Sequence, residues 1–218
     1  MSAVAEPAGE APLDCLACPR LVAFRSANRA AEPDWFNAPV PSFGDPAARL
    51  LVVGLAPGLR GANRTGRPFT GDYAGDLLYA TLLKFGFARG VYRAEPGDGL
   101  VLTGAMITNA VRCVPPENKP TPLEAKTCRI FLSQKIRYLS ALSVIIALGR
   151  VAHDNTLAAL ECRGSQFPFA HGAVHTPQAG LALIDSYHCS RYNTNTGRLT
   201  EAMFHAVFAK AKTVLAGL

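Results

Sequence analysis

Two groups of side chains in this 218-residue sequence have types and spacings suited to chemistry. The first is sulfur. Cys15 and Cys18 form a Cys-x-x-Cys pair, while Cys113 and Cys128 bracket a proline-rich loop. Four thiolates drawn from two such pairs can share one metal centre. Sulfur-only ligation suits a zinc ion or an iron–sulfur cluster, and spacing does not choose between them. A redox dithiol has the same spacing but follows a strand in a thioredoxin-like unit, and no strand pattern precedes Cys15. Cys162 and Cys189 have no such partners and read as free thiols.

The second group lies on a glycine- and arginine-rich run. Gly54-Leu55-Ala56-Pro57-Gly58 continues into Arg60-Gly61-Ala62-Asn63-Arg64-Thr65-Gly66-Arg67-Pro68-Phe69-Thr70-Gly71-Asp72. The run lacks the Lys-Ser/Thr ending of a P-loop and the spacing of a dinucleotide fingerprint, which argues against a nucleotide cofactor. Arginines, one aromatic (Phe69) and one carboxylate (Asp72) suit a flat polar ring attached to a phosphate backbone.

Residues so far apart meet only if the fold brings their segments to one edge. The apolar run Leu50–Val53 predicts a buried strand. Its breakdown into glycines before a helix sets backbone N–H groups at the carboxyl edge of a sheet, where α/β proteins bind ligands. Apolar residues at helical spacing predict a helix over Tyr73–Phe87, ended by Gly86 and Gly90. A second strand is expected over Leu100–Val111, delivering Thr108 and Asn109 to the same edge. Thr121-Pro122-Leu123-Glu124 reads as a capping box with proline at the first helical position, so a helix should start at Pro122 and carry Cys128. The continuous apolar run within Ser143–Gly149 predicts a central parallel strand covered on both faces, with a helix over Arg150–Leu160 behind it. Gly164–Gly180 reads as a looser segment in which His171 and His175 are structural or surface groups. A last strand, Ala182–Ser186, brings residues 187–193 to the edge, and a closing helix spans Leu199–Leu215. Nearer the N-terminus, a short helix headed by the Cys-x-x-Cys should end near Arg25, and Pro33–Pro46 reads as ordered coil. Repeated strand–helix alternation makes residues 13–218 one α/β domain with a parallel sheet, preceded by a disordered tail over residues 1–12.

Composition bounds the partners. With 49% hydrophobic residues the chain can fill one such domain. A formal net charge of +6 favours an anionic partner. No apolar run of about 18 residues is present, which argues against a membrane span. The N-terminal residues lack the basic region and apolar core of a secretory signal, so the six cysteines are expected in a reducing cytoplasm, where metal ligation is a commoner fate than a disulfide.

Taken in order, the glycine run through Asp72, then Val111-Arg112-Cys113-Val114-Pro115-Pro116 with Asn118-Lys119-Pro120, then Ser186-Tyr187-His188-Cys189-Ser190-Arg191, resemble the motifs of the B-type (family 5) branch of the uracil-DNA glycosylase superfamily. The resemblance spans about Asp14 to the C-terminus. It implies a single domain with a central, mainly parallel four-stranded sheet flanked by helices. It also implies a [4Fe-4S] cluster on Cys15, Cys18, Cys113 and Cys128. The activity implied is monofunctional excision of uracil from DNA, leaving an abasic site, by a monomer working in the cytoplasm of a prokaryote in association with the nucleoid.

Sister branches carry a carboxylate or asparagine in the first motif to position water, where this chain reads Leu55-Ala56-Pro57. Asp72 then becomes the candidate to orient water or stabilise the sugar cation, with capping of the following helix as its structural alternative. Cleaving an N-glycosidic bond builds positive charge on the sugar and negative charge on the base. His188 is the group to meet that negative charge at a carbonyl oxygen. Phe69 resembles the aromatic that stacks a flipped base, Asn109 and Asn118 are polar candidates for the base edge, and Ala56 leaves room for deaminated purines such as hypoxanthine. Arg64, Arg67, Lys119 and Arg191 are expected to contact DNA, with Arg191, Tyr192 and Asn193 in a loop entering the minor groove. Two rival classes are a non-catalytic DNA-binding module with a structural cluster and a zinc-stabilised nucleotide hydrolase.

Overall fold

The computed structural model describes residues 9–217, so residues 1–8 of the expected tail lie outside the described residues. Helix α1 (Pro19–Ala31) is followed by β1 (Phe43–Gly44), β2 (Leu50–Gly54), the single turn α2 (Ala62–Thr65) and α3 (Tyr73–Lys84). Then come β3 (Ala88–Arg89), β4 (Val101–Leu102), β5 (Ala105–Asn109), α4 (Pro122–Tyr138), β6 (Val144–Leu148) and α5 (Arg150–Ala159). The chain closes with β7 (Val174–Gln178), β8 (Leu181–Ser186), α6 (Arg191–Asn195) and α7 (Glu201–Ala216). None of the described helices is long and apolar enough to cross a membrane.

Strands are ordered β1-β5-β2-β6-β8-β7. The inner four are parallel, as the α/β reading requires. They are buried along their whole length because each feeds alternate residues to two cores. Leu50, Val52, Ile107, Ile146 and Ile184 pack with α3 and α7, while Leu51, Val53, Ile145, Ala147 and Leu183 pack with α4 and α5. Burying one such side chain is worth about 1.5–3 kcal/mol, so a one-residue slip in register would expose a whole face. The register sets Gly54 opposite Asn109 at the carboxyl edge, where the site lies.

Several expectations need correction. The sheet has two further, antiparallel edge strands. One of them, β7, lies in the segment read as loose; its alternating half-exposed residues and Pro177 are tolerated only because it is an edge. The strand expected over Leu100–Val111 is two. Gly104, at φ 62°, turns the chain between them. Its N–H donates to Asp45 Oδ2 at 2.8 Å, and β4 pairs with β3 in a separate hairpin. Helix α3 stops at Lys84 because Gly86, at φ 75°, allows a Schellman cap in which the Phe87 N–H reaches Leu82 O at 2.8 Å. Helix α1 runs past Arg25 to Ala31, where Glu32 stands before a proline and cannot easily stay helical.

The described part of the expected disordered tail is ordered. Glu10 accepts hydrogen bonds from the Ser42 N–H at 2.9 Å and Arg112 at 3.1 Å, and it pairs with Lys135 Nζ at 2.7 Å. Arg112 and Lys135 are buried, and Glu10 is the carboxylate that neutralises both. Helix α4 begins as expected, with the Thr121–Glu124 capping box formed in both directions.

Candidate active site

A cavity of about 540 Å³ opens at the carboxyl ends of β2, β5 and β8. Its lining includes Ala56, Phe69, Asp72, Asn109, Asn118, His188 and Arg191, so seven expected residues converge on one space. Phe69 is buried, and its ring stacks on His188 with centroids 5.9 Å apart and planes at 29°. Gly54 makes this possible: a Cβ there would lie 2.6 Å from Phe69 Cζ and would collide with the Asn109 amide.

Phe69 has φ 52°, a left-handed conformation that is costly for a bulky residue. A buried clamp holds it there. Arg67 donates to both oxygens of Asp98, at 2.9 and 2.7 Å, and its Nε donates to Thr70 Oγ1 at 2.7 Å. Tyr79 donates to Pro68 O at 2.7 Å and Tyr92 to Phe69 O at 3.3 Å. Gly75 lets the first turn of α3 close on the Phe69 carbonyl, which any Cβ would strike. The expectation that Arg67 contacts DNA is therefore corrected. It is 4% exposed, wrapped by the rings of Phe43, Tyr79 and Tyr92, and committed to Asp98, whose carboxyl its hydrogen bonds hold well below the usual carboxylate range.

Asp72 does two things. It caps α3, accepting from the Gly75 N–H at 3.2 Å, and it also lines the cavity. Burial raises its carboxyl above the ordinary value, partly offset by the backbone N–H groups of Gly75 and Ala74. Burial pushes the His188 imidazole down to about 4, so the ring is neutral at pH 7. Among the described residues neither of its ring nitrogens has a hydrogen-bond partner. Cys189 beside it donates to Ala74 O at 3.4 Å, which ties the end of β8 to the α3 turn that carries Asp72.

Asn109 is 2% exposed, and its amide oxygen is buried without a partner. Such a group is expensive unless something fills the cavity and pairs with it. Asn118 is exposed on a tight turn in which it and Glu117 both have positive φ. Lys119 is exposed next to the cavity and pairs with Glu117 at 3.3 Å. Arg64 lies outside the cavity, on a neighbouring groove with Trp35 and Phe36, 3.4 Å from Glu95. Among the lining residues given no role from sequence are Arg60 and Tyr73, whose ring lies 5.3 Å from the Arg191 guanidinium carbon. Both neighbour residues that were given one, which was the only signal for them.

A second, narrow space is lined by Cys15, Cys18, Cys113 and Cys128. The four sulfurs are brought together, yet among the described residues no three cysteine sulfurs lie mutually within 4.8 Å. Tetrahedral zinc, with Zn–S near 2.3 Å, needs sulfurs only about 3.8 Å apart; a polynuclear cluster suits the wider spread. Burial pushes the Cys128 thiol up to about 12 against the pull of the Arg112 backbone N–H, which donates to its sulfur at 3.3 Å. His175 and His153 both meet the buried Asp185 carboxylate, at 3.0 and 2.6 Å, and the ligand atoms of the three lie within 4.8 Å of one another, close enough to share a metal ion. His171 accepts the Tyr187 N–H at 3.1 Å. Cys162 and Cys189 lie outside the space that the other four cysteines line.

Residues 41–212 match the family profile described as the uracil DNA glycosylase superfamily. A type-5 uracil-DNA glycosylase of Thermus thermophilus is 49% identical over 94% of this chain and 94% of its own length. One of Mycobacterium bovis is 43% identical over 94% of this chain and 79% of its own, and one of Pyrobaculum aerophilum is 38% identical over 91% and 88%. Motif order, parallel sheet and the cavity at its carboxyl edge agree with these matches, and the chain belongs to the uracil-DNA glycosylase superfamily, in its type-5 branch.

Proposed function

We propose that the cavity receives a uracil turned out of DNA and that the protein hydrolyses the N-glycosidic bond, leaving an abasic site. The observation that carries this is the presence, in one cavity, of a neutral His188 stacked on Phe69 and a half-buried Asp72 carboxyl. In this reading Phe69 stacks the base and the unpartnered Asn109 amide reads its edge. His188 donates an N–H to a base carbonyl oxygen as the C1′–N bond breaks and its electron pair leaves with the base. Asp72 stabilises the positive sugar and orients water, whose oxygen adds to C1′ while its proton passes to solvent or the departing base. Asn118, at the cavity mouth, is a further polar group for base or water.

Arg60 and Arg191 at the opening, with Arg64 on the neighbouring groove and the exposed Lys119, supply positive charge for the phosphates, and the enzyme acts as a monomer on DNA in the cytoplasm. Cys15, Cys18, Cys113 and Cys128 hold a [4Fe-4S] cluster, a reading that the spread of their sulfurs supports over a single zinc. When bound, the cluster supplies four metal–sulfur bonds that tie α1 to the loop carrying Asn118 and Lys119. Ala56 leaves the pocket roomy, so hypoxanthine is a second substrate and thymine a poor one.

The test is a gel assay on uracil-containing duplex with alkali cleavage of the product, repeated with hypoxanthine. Alkali-labile sites are expected with both. DNA that is bound but never becomes alkali-labile would favour a non-catalytic module instead.

A further inference from the structure

Among the described residues four Arg or Lys side chains are buried: Arg25, Arg67, Arg112 and Lys135. Three of them meet a carboxylate, Asp98 for Arg67 and Glu10 for Arg112 and Lys135. Arg25, 2% exposed, has no carboxylate partner among the described residues. Its Nη1 donates to Cys113 Sγ at 3.3 Å, its Nη2 donates to Cys15 O at 2.9 Å, and its Nε has no partner. A guanidinium does not lose its proton in a protein, and an isolated buried charge is expensive, so this one requires an anion. Among the described residues the only candidate it touches is the Cys113 sulfur, and a neutral thiol is a weak acceptor without charge to offer.

We infer that Arg25 is the counter-cation of the four-cysteine centre, matched to sulfurs that are thiolates held on a metal. The inference rests on the cluster reading and adds to it a named residue that lowers the cost of burying the centre's negative charge. Sequence places it for the role: Arg25 follows Cys18 by two helical turns, so both lie on the face of α1 that meets Cys113 and Cys128. A cysteine-held cluster is tuned by net charge, by hydrogen bonds to its sulfurs and by exposure, and Arg25 acts on the first two. Its removal should favour the oxidised centre and loosen the Cys113 ligand.

The experiment uses purified whole protein with its bound iron. Arg25→Met keeps the length of the side chain and removes charge and donors; Arg25→Lys keeps the charge and loses the fork. Leu21→Ala, a neighbouring buried change, loosens packing without touching charge. Iron release to a chelator in air should be about 10–100-fold faster in Arg25→Met, the usual scale for losing a group that supports a metal ligand, with Arg25→Lys in between. The midpoint potential should move negative in Arg25→Met and stay at the wild-type value in Leu21→Ala. Equal release rates and potentials in wild type and Arg25→Met would overturn the inference while leaving the cluster reading intact. If Arg25→Met does not fold, an Arg25→Lys protein indistinguishable from Leu21→Ala in potential and from wild type in release does the same. Wild-type protein that holds no cysteine-bound metal overturns both readings together.

Discussion

Asp72 both caps a helix and lines the cavity, and two substitutions separate the roles. Asparagine caps a helix about as well as aspartate, whereas alanine forfeits the cap at a cost of about 1 kcal/mol. For a chain of this size that is about 2–4 °C in melting temperature. Asp72→Asn should therefore melt with the wild type, and Asp72→Ala a few degrees lower. Catalysis should not follow stability. A carboxylate about 4 Å from a developing sugar cation, at an effective dielectric near 20, is worth about 4 kcal/mol, or roughly 10³-fold in rate. Both variants should lose about 10²–10³-fold in single-turnover excision of uracil from duplex DNA, scored by alkali cleavage, and both should lose it on hypoxanthine too, since every substrate passes through the same sugar cation. The wild-type rate should fall on the acid side at a pH above the ordinary aspartate value, because burial raises the Asp72 carboxyl and it must be ionised to act. Asp72→Asn that excises uracil within threefold of wild type would refute the charge argument, and losses in rate that track the losses in melting temperature would reduce Asp72 to a cap.

Other outcomes follow from the same geometry. His188→Ala should slow uracil excision by roughly 10², the scale for one donor to a developing oxyanion, and the wild-type profile should be flat through the usual imidazole range because His188 is already neutral there; an inflection near 6.5 would contradict this. Arg191→Ala and Arg60→Ala should each lower the salt dependence of DNA binding by about one phosphate contact, while Arg67→Met leaves the slope unchanged; a shallower slope in Arg67→Met would return that residue to the DNA interface. Glu10→Ala strands the buried Arg112 and Lys135 and should cost about 3–5 kcal/mol, or roughly 6–20 °C by calorimetry; a shift under 2 °C would refute it. Burial opposes ionisation of Glu10, but Arg112 and Lys135 draw its carboxyl below 4.5, so its contribution is full above that value and is lost as pH falls through the lower folded-state value.

The parallel strands and the cavity were legible because each depends on short-range pattern. Apolar runs such as Val144–Leu148 can only be buried, and glycines at a strand end can only serve a close approach. What escaped depends on partners distant in sequence. Arg67 sits in the same arginine-rich loop as Arg60, and nothing local says that one is sealed against Asp98, 31 residues on, while the other faces the cavity. Glu10 looked like tail because its partners are Arg112 and Lys135, over a hundred residues away. Strand β7 escaped because an edge strand with proline and half-exposed residues lacks the apolar signature of the strands beside it.

The glycine contacts around Phe69 also bear on how such a pocket can change. At Gly54 a Cβ would run into the Asn109 amide and the Phe69 ring, and at Gly75 into the Phe69 carbonyl, so the clearance admits no side chain. A mutational library aimed at new base preferences would find those positions closed to every substitution, whatever its chemistry. Variation is left to the side chains that line the cavity, among them Ala56 and the exposed Tyr73. A variant with altered selectivity should therefore keep both glycines and carry its decisive substitution on a side chain that lines the cavity.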